Sequence, residues 1–299
     1  MKYVKWGLAS SLLFLFVGCQ SAPLHESVGK KSSKNPTGIH NQFSASSANN
    51  IEATNLEKNS LDYILPIKGT SEKLSKSSWQ KIVQWRQEIL SYPKTYPGEV
   101  FLNGPNKKRV ALTFDDGPDR INTPKIIQAL QQRHVKATFF FIGQKVEQNP
   151  EIVMEAYKNG NVIGNHSFYH HFLPKETESE IKLDLEKTSS AIRKIINKTP
   201  LLLRPPYGAT DTKVVTAASK DHNKIILWSL DTLDWSLREH VPIQKNVFDN
   251  IRNGDIILMH SNEDKKETAK AVPLIIDELT RRGFQLVDVA TLLDVKPYQ

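Results

Sequence analysis

A β-branched, apolar run, Arg109 to Phe114, ends on two adjacent carboxylates, Asp115 and Asp116, and turns at once at Gly117-Pro118. The run reads as a buried strand, and the Gly-Pro pair takes the backbone out of it directly after the acidic residues. Neighbouring side chains of an extended segment point to opposite sides, so the two carboxylates need not share one job. On these residues alone, an ordinary solvated turn is an equal reading.

The arrangement recurs along the chain. Asn161 to Asn165 leads into His166-Ser167-Phe168-Tyr169-His170, and Leu201 to Leu203 into Arg204-Pro205-Pro206-Tyr207-Gly208. Ile225 to Leu230 leads into Asp231-Thr232-Leu233-Asp234-Trp235, and Ile256 to Met259 ends on His260. Amphipathic helical patterns separate these runs. One starts at Thr123-Pro124, with Thr123 expected as N-cap and Pro124 at the first helical position. Others span Glu176 to Asn197, Asp211 to Asp221, Val241 to Arg252 and Thr268 to Arg282, before a last strand near Gln285 to Val289. Alternating strands and helices give an α/β fold with a parallel sheet, whose active sites collect at the C-terminal strand ends. Every polar cluster named here falls at such an end.

His166 and His170 stand at i, i+4, a spacing that lets both rings face one point. With one carboxylate they make a facial triad suited to Zn²⁺ or another divalent transition metal, with positions left open for water and substrate. A lone HxxxH pair is a weak signal, since such pairs also arise on solvated helix faces. This pair follows a strand, where a loop site belongs.

In the order TFDDGP, HSFYH, RPPYG, DTLDW and LMH, the five runs resemble the motifs of the polysaccharide deacetylases with a NodB-type domain, carbohydrate esterase family four. The resemblance covers about Lys108 to Leu293. It implies a distorted (β/α) barrel of about seven strands, in agreement with the strand reading. It also implies Asp116, His166 and His170 as ligands of one divalent metal, Zn²⁺ first, with Co²⁺, Mn²⁺ or Ni²⁺ as alternatives. Asp115 is implied as general base toward an attacking water, with Arg204 pairing and orienting it. His260 is implied as general acid with Asp234 as its partner, and the backbone N–H of Tyr207 as oxyanion donor. Trp235 and Leu258 match the apolar wall around the acetyl methyl group, and core packing competes for both. For Arg204 and Asp234 the competing reading is a plain buried ion pair.

Some nearby residues are not assigned chemistry. His171 has no counterpart in the HxxxH motif, Asp231 is expected to tie down its own loop, and His134 sits past a helical pattern as a polar end group.

Lys2 and Lys5 precede a short apolar stretch, Trp6 to Val17, that suits the h-region of an export signal better than a membrane span. Leu15 to Cys19 resembles a bacterial lipobox, which makes Cys19 the expected lipidation site. Cys19 is also the only cysteine in 299 residues, which excludes an intramolecular disulfide and a Cys-based zinc site. The expected organisation is a signal over 1–19, a Ser-, Asn- and Lys-rich tether over 20–76, a helix and lead-in over 77–107, and the deacetylase domain over 108–295. Within the tether, Leu61 to Ile67 is more apolar and a candidate for docking on the domain. Ser77 and Gln80 suggest a capping box for a helix carrying Trp79, Ile82, Val83, Ile89 and Leu90, expected to pack beside the barrel.

The formal net charge of +8 comes without clustering of Lys and Arg and without a nucleic-acid motif, so anionic wall polymers or lipid headgroups are the expected attraction rather than nucleic acid. The sequence points to a membrane-anchored, extracytoplasmic deacetylase of peptidoglycan N-acetylglucosamine, with no protein partner expected. Chitooligosaccharide, poly-N-acetylglucosamine, N-acetylmuramic acid and an O-acetyl ester are the alternative substrates, and a non-catalytic wall-binding lipoprotein is the alternative of another class.

Overall fold

A computed structural model describes residues 63–299; the expected signal, Cys19 and most of the tether lie outside the described residues. Among the described residues, nine strands form one curled sheet, and every strand pairing is parallel. In chain order these are β1 Val100–Phe101, β2 Arg109–Asp115, β3 Thr138–Phe141, β4 Val162–Asn165, β5 Leu202–Leu203, β6 Lys224–Ile226, β7 Leu230–Asp231, β8 Ile256–His260 and β9 Gln285–Val287. The order across the sheet is β1-β6-β5-β4-β3-β2-β8-β7, with β9 beside β2. One run of chain, 224–231, supplies both β6 and β7, so the curl brings the two ends of the sheet toward each other there. The expected Ile225 to Leu230 strand is therefore two short ones, because its halves bond different neighbours.

Alternation along the central strands decides which way the site residues point. Val110, Leu112 and Phe114 of β2 join one buried cluster with Phe139, Phe141, Ile257 and Met259, covered by helices Asn122–Gln132 and Lys266–Arg281. Ala111, Phe140, Ile256 and Leu258 join the other. With a side-chain period of two, Asp115 shares a face with Ala111 and Thr113, and His260 shares a face with Ile256 and Leu258. Burying each of these large apolar side chains contributes about 1.5–3 kcal/mol.

Some helix ends differ from the sequence reading, and at the two N-termini a side chain competes better for the free N–H groups. Helix Asn122–Gln132 starts before Thr123, and the Asp119 carboxylate accepts the N–H groups of Asn122 at 2.9 Å and Thr123 at 2.6 Å. Thr123 instead donates its hydroxyl to the Ser261 carbonyl at 2.8 Å. Helix Lys76–Ile89 is capped by Ser75, whose hydroxyl accepts the Ser78 N–H, rather than by the Ser77-Gln80 pair. Helix His240–Phe248 stops short of Arg252, whose guanidinium turns back to Asp255 at 2.8 Å. After β9 a short helix, Val289–Leu293, is capped by Asp288.

The folded body reaches further toward the N-terminus than the helix expected from residue 77. Leu65 and Ile67 are buried, and Lys68 forms a parallel bridge to Leu230 of β7. Among the described residues no helix is long and apolar enough to cross a membrane.

Candidate active site

Five strand ends meet at one edge of the sheet. Asp115 closes β2 and pairs in register with His260 at the end of β8. Asn165 and Leu203, the last residues of β4 and β5, are also level, which sends His166 and Arg204 out at the same height. Asp231 closes β7 and begins the loop that carries Asp234.

Three ligand atoms converge there. Oδ1 of Asp116 lies 3.3 Å from Nε2 of His166 and 3.1 Å from Nε2 of His170. The ligand atoms of the three residues all lie within 4.8 Å of one another. Nδ1 of His166 stands 2.6 Å from the carbonyl oxygen of Arg204; a carbonyl only accepts, so Nδ1 carries the proton and Nε2 keeps its lone pair. Asp116 Oδ1 is buried without a hydrogen-bond partner, and a divalent cation beside it would supply the missing interaction. The set therefore fits a His₂Asp metal site. Burial opposes the charge on Asp116, and the nearby charge of His260 favours it.

Beside the triad lie two charge pairs. Arg204 is fully enclosed, and its Nη1 donates to Asp115 Oδ1 at 2.9 Å and to Thr113 Oγ1 at 2.8 Å. Its Nε and Nη2 donate to the carbonyls of Ile226, the last residue of β6, and Leu227 just after it, each at 2.9 Å. Burial lowers the proton affinity of this guanidinium, and Asp115 opposes that.

On the other side, Nδ1 of His260 bonds Asp234 Oδ1 at 2.7 Å, and its backbone N–H donates to Oδ2 at 2.8 Å. Thr268 donates to the same Oδ2 at 2.7 Å. Burial disfavours the imidazolium, yet the Asp234 charge, its hydrogen bond and the charges of Asp116 and Asp115 push His260 up to about 9. Burial likewise works against Asp234, which His260 and Thr268 nevertheless hold below its ordinary value.

The backbone around this edge is strained. Asp116, Ser167, His170, Tyr207 and Leu233 all have left-handed φ, between 56° and 67°, a conformation that non-glycine residues adopt only where their surroundings enforce it. At the Tyr207 turn the enforcement is visible: a Cβ on Gly208 would stand 2.7 Å from Trp228 and 2.8 Å from Trp85.

Asp115, Asp116, His166, His170, Arg204, Asp234 and His260 thus come together. Tyr207 lays its half-exposed ring edge-on to His170, with centroids 4.7 Å apart. Leu258 is buried beside Thr113, and Trp235 exposes part of its ring on the 231–236 loop. His171 stays outside the cluster, 3.6 Å from Glu176. Asp231 ties its loop as expected, accepting the Leu233 N–H at 2.8 Å.

Two partners escaped the sequence reading. Thr268 holds Asp234 from a distant helix. Arg86 meets Asp231 from the lead-in helix, and its signal was present: with Ile82 and Ile89 it occupies i, i+4 and i+7, a charge standing in an apolar stripe.

The polysaccharide deacetylase family model matches residues 103–225. A peptidoglycan-N-acetylglucosamine deacetylase of Bacillus cereus is 38% identical over 194 residues, covering 64% of this chain and 70% of the relative. The chain belongs to the polysaccharide deacetylase family. Among solved members, the Bc1960 peptidoglycan N-acetylglucosamine deacetylase superposes with a TM-score of 0.67 at 35% identity, covering 70% of this chain and 98% of that one. BA3943 of Bacillus anthracis, described as a pseudoenzyme of carbohydrate esterase family four, superposes at 0.63 with 30% identity, covering 67% and 71%. The curled parallel sheet is the deacetylase fold, and acetylated polysaccharide is the substrate class of the family.

Proposed function

We propose that this polysaccharide deacetylase is a metal-dependent hydrolase of N-acetyl groups on peptidoglycan N-acetylglucosamine, acting outside the cell from a lipid anchor at Cys19. The observation that carries the reading is the pairing of two differently tuned groups at one edge: Asp115 held by Arg204, and His260 held protonated by Asp234, on either side of a His₂Asp triad. A binding module has no use for an opposed acid and base. The names of the relatives support the substrate, and the export-type pattern of the N-terminal sequence supports a location beside it.

Asp116, His166 and His170 would hold a divalent cation, whose chemistry would be to polarise an acetyl carbonyl and make water more acidic. Asp115 takes the proton of the attacking water as the C–O bond forms. The backbone N–H of Tyr207 donates to the developing oxyanion. His260, pushed up to about 9, carries its proton at neutral pH and delivers it to the amide nitrogen as the C–N bond breaks. Free amine and acetate result. Trp235 and Leu258 supply an apolar wall for the methyl group.

Similarity to a pseudoenzyme favours one second reading, a wall-binding protein without turnover. Acetate release from purified peptidoglycan and from chitooligosaccharides, before and after chelation and Zn²⁺ restoration, with Asp115→Asn as control, separates the two. Metal-dependent release that is lost in the variant supports the hydrolase. Glycan binding without release, with metal bound and the chain folded, overturns it.

A further inference from the structure

The segment 68–71 and helix Lys76–Ile89, all N-terminal to the family-matched residues 103–225, clamp the loop that carries Asp234. Lys68 bonds β7 on both sides, accepting the Asp231 N–H and donating to the Ser229 carbonyl, each at 2.9 Å. Gly69 follows with φ 115°, and a Cβ there would stand 2.0 Å from the Asp231 carbonyl oxygen, so no other residue lets the two chains meet this closely. Asn246 binds the backbone of Thr70 and the carbonyl of Thr232 together, and Ser71 bonds Ser236 at 2.9 Å.

Arg86 is the charged centre of this clamp. Its side chain is about nine-tenths buried, Nη1 donates to the Gly69 carbonyl at 2.9 Å, Nη2 faces Asp231 Oδ2 at 3.4 Å, and Nε has no partner. As a stabilising device this is poor: a buried ion pair with a long contact and an unsatisfied N–H does not outperform a packed apolar side chain. Its effect on the loop is specific. Asp231 is enclosed, and burial drives its carboxyl toward the neutral form; Arg86 opposes this most strongly, with smaller help from the Leu233 N–H and the charge of His260. An ionised carboxylate is the stronger acceptor for the Leu233 N–H, and that bond holds Leu233 at φ 56°, one residue before Asp234.

We infer that Arg86 is a positioning residue for the proton-donating half of the site, acting through Asp231 and the strained Leu233 turn to set Asp234 against His260. The inference rests on the reading of His260 as proton donor to the leaving nitrogen. Such a donor matters for an amide, whose amine leaves badly as an anion, and little for an activated aryl ester, whose leaving group needs no proton.

The test uses the full chain with Arg86→Met and Arg86→Lys. Residue-resolved amide hydrogen exchange reads the positioning directly. In Arg86→Met the Leu233 and His260 amides, which bond Asp231 and Asp234, should exchange about tenfold faster, with the His166 amide unchanged. N-acetyl hydrolysis should lose about tenfold in kcat at unchanged KM. Aryl acetate hydrolysis should stay within about twofold, with Arg86→Lys between Met and wild type. Uniform acceleration of all amides, no change at Leu233 and His260, or equal loss on both substrates overturns the inference and leaves Arg86 a structural ion pair. If Arg86→Met does not fold, Asp231→Asn, which keeps the shape and removes the charge, carries the same expectations. If the wild-type chain releases no acetate from either substrate, the functional reading fails, and the exchange comparison still decides whether Arg86 positions the loop.

Discussion

The carbonyl oxygen of Arg204 accepts a 2.6 Å hydrogen bond from Nδ1 of His166, while the guanidinium of the same residue holds Asp115 at 2.9 Å. One residue thus sets a proposed metal ligand through its backbone and the proposed base through its side chain. Removing the side chain by Arg204→Met takes the guanidinium from Asp115 and from the carbonyls of Ile226 and Leu227 in the interior, while the Thr113 hydroxyl keeps its bond to the Ile257 carbonyl. The expected cost is about 3–5 kcal/mol, that of breaking a buried pair from one side. Urea denaturation checks it: the midpoint should fall substantially with an unchanged slope. A loss below about 1 kcal/mol would mean that water or a rearranged side chain replaces the guanidinium.

Asp234→Asn separates charge from shape. The amide keeps the size of the carboxylate but not the charge that raises His260 to about 9. A base whose folded value is raised keeps its proton below that value and loses it above. The wild-type rate should therefore fall as pH rises through about 9, and in the variant this limb should move down toward the ordinary imidazole value of about 6.5. The same sign governs stability. The His260–Asp234 pair contributes fully between about 4, where an ordinary carboxyl ionises, and about 6.5, and the contribution disappears as pH rises through about 9. A pH–rate profile whose alkaline limb does not move in Asp234→Asn would remove Asp234 from this role.

The metal prediction follows from the orphaned Asp116 oxygen. Chelation should abolish acetate release and lower the melting temperature, and Zn²⁺ should restore both, with a stabilisation of about 2.7 kcal/mol at a hundredfold excess over Kd. His170→Ala should lose the thermal response to Zn²⁺ while folding normally, because His170 keeps partial exposure at the site's edge and belongs to neither buried apolar cluster. A melting temperature indifferent to metal in the wild-type chain would contradict the His₂Asp site.

How much was legible depended on whether the information was local. The strand-end motifs were readable because each combines an apolar run, a turn and a reactive side chain within a few residues, as at Thr113 to Pro118. Separate jobs for Asp115 and Asp116 were readable but their geometry was not: β2 ends at Asp115, which bonds Arg204 and stands 3.8 Å from His166, and the left-handed φ of Asp116 brings its carboxylate to His166 and His170 as well. β1, two residues long, carries no period to detect, while β5 was readable as the apolar run Leu201 to Leu203 and β7 only as the end of the run Ile225 to Leu230. Thr268 was invisible as a site residue, and Arg86 showed only as a charge in an apolar stripe with no partner named, for a different reason. Their partners lie 34 and 145 positions away, and only the folded sheet brings them together. The Thr123 cap was misplaced because Asp119, three residues before Asn122, reaches forward with a charged acceptor that a hydroxyl does not match.

That carboxylate supplies the last prediction. Asp119 is buried, takes the N–H groups of Asn122 and Thr123 with both oxygens, and leaves Thr123 free to reach the Ser261 carbonyl just after His260. Asp119→Ala frees two helix N–H groups and removes an anion from a helix N-terminus, together worth about 1–2 kcal/mol. The damage should reach activity as well, since the helix start fixes the turn after Asp116 and, through Thr123, the strand end that carries His260. Asp119→Asn should recover most of the stability, because a side-chain oxygen still accepts. Chemical denaturation of both variants beside their acetate release checks this. Equal stability of Asp119→Ala and the wild-type chain would show that the Thr123 hydroxyl can cap the helix after all.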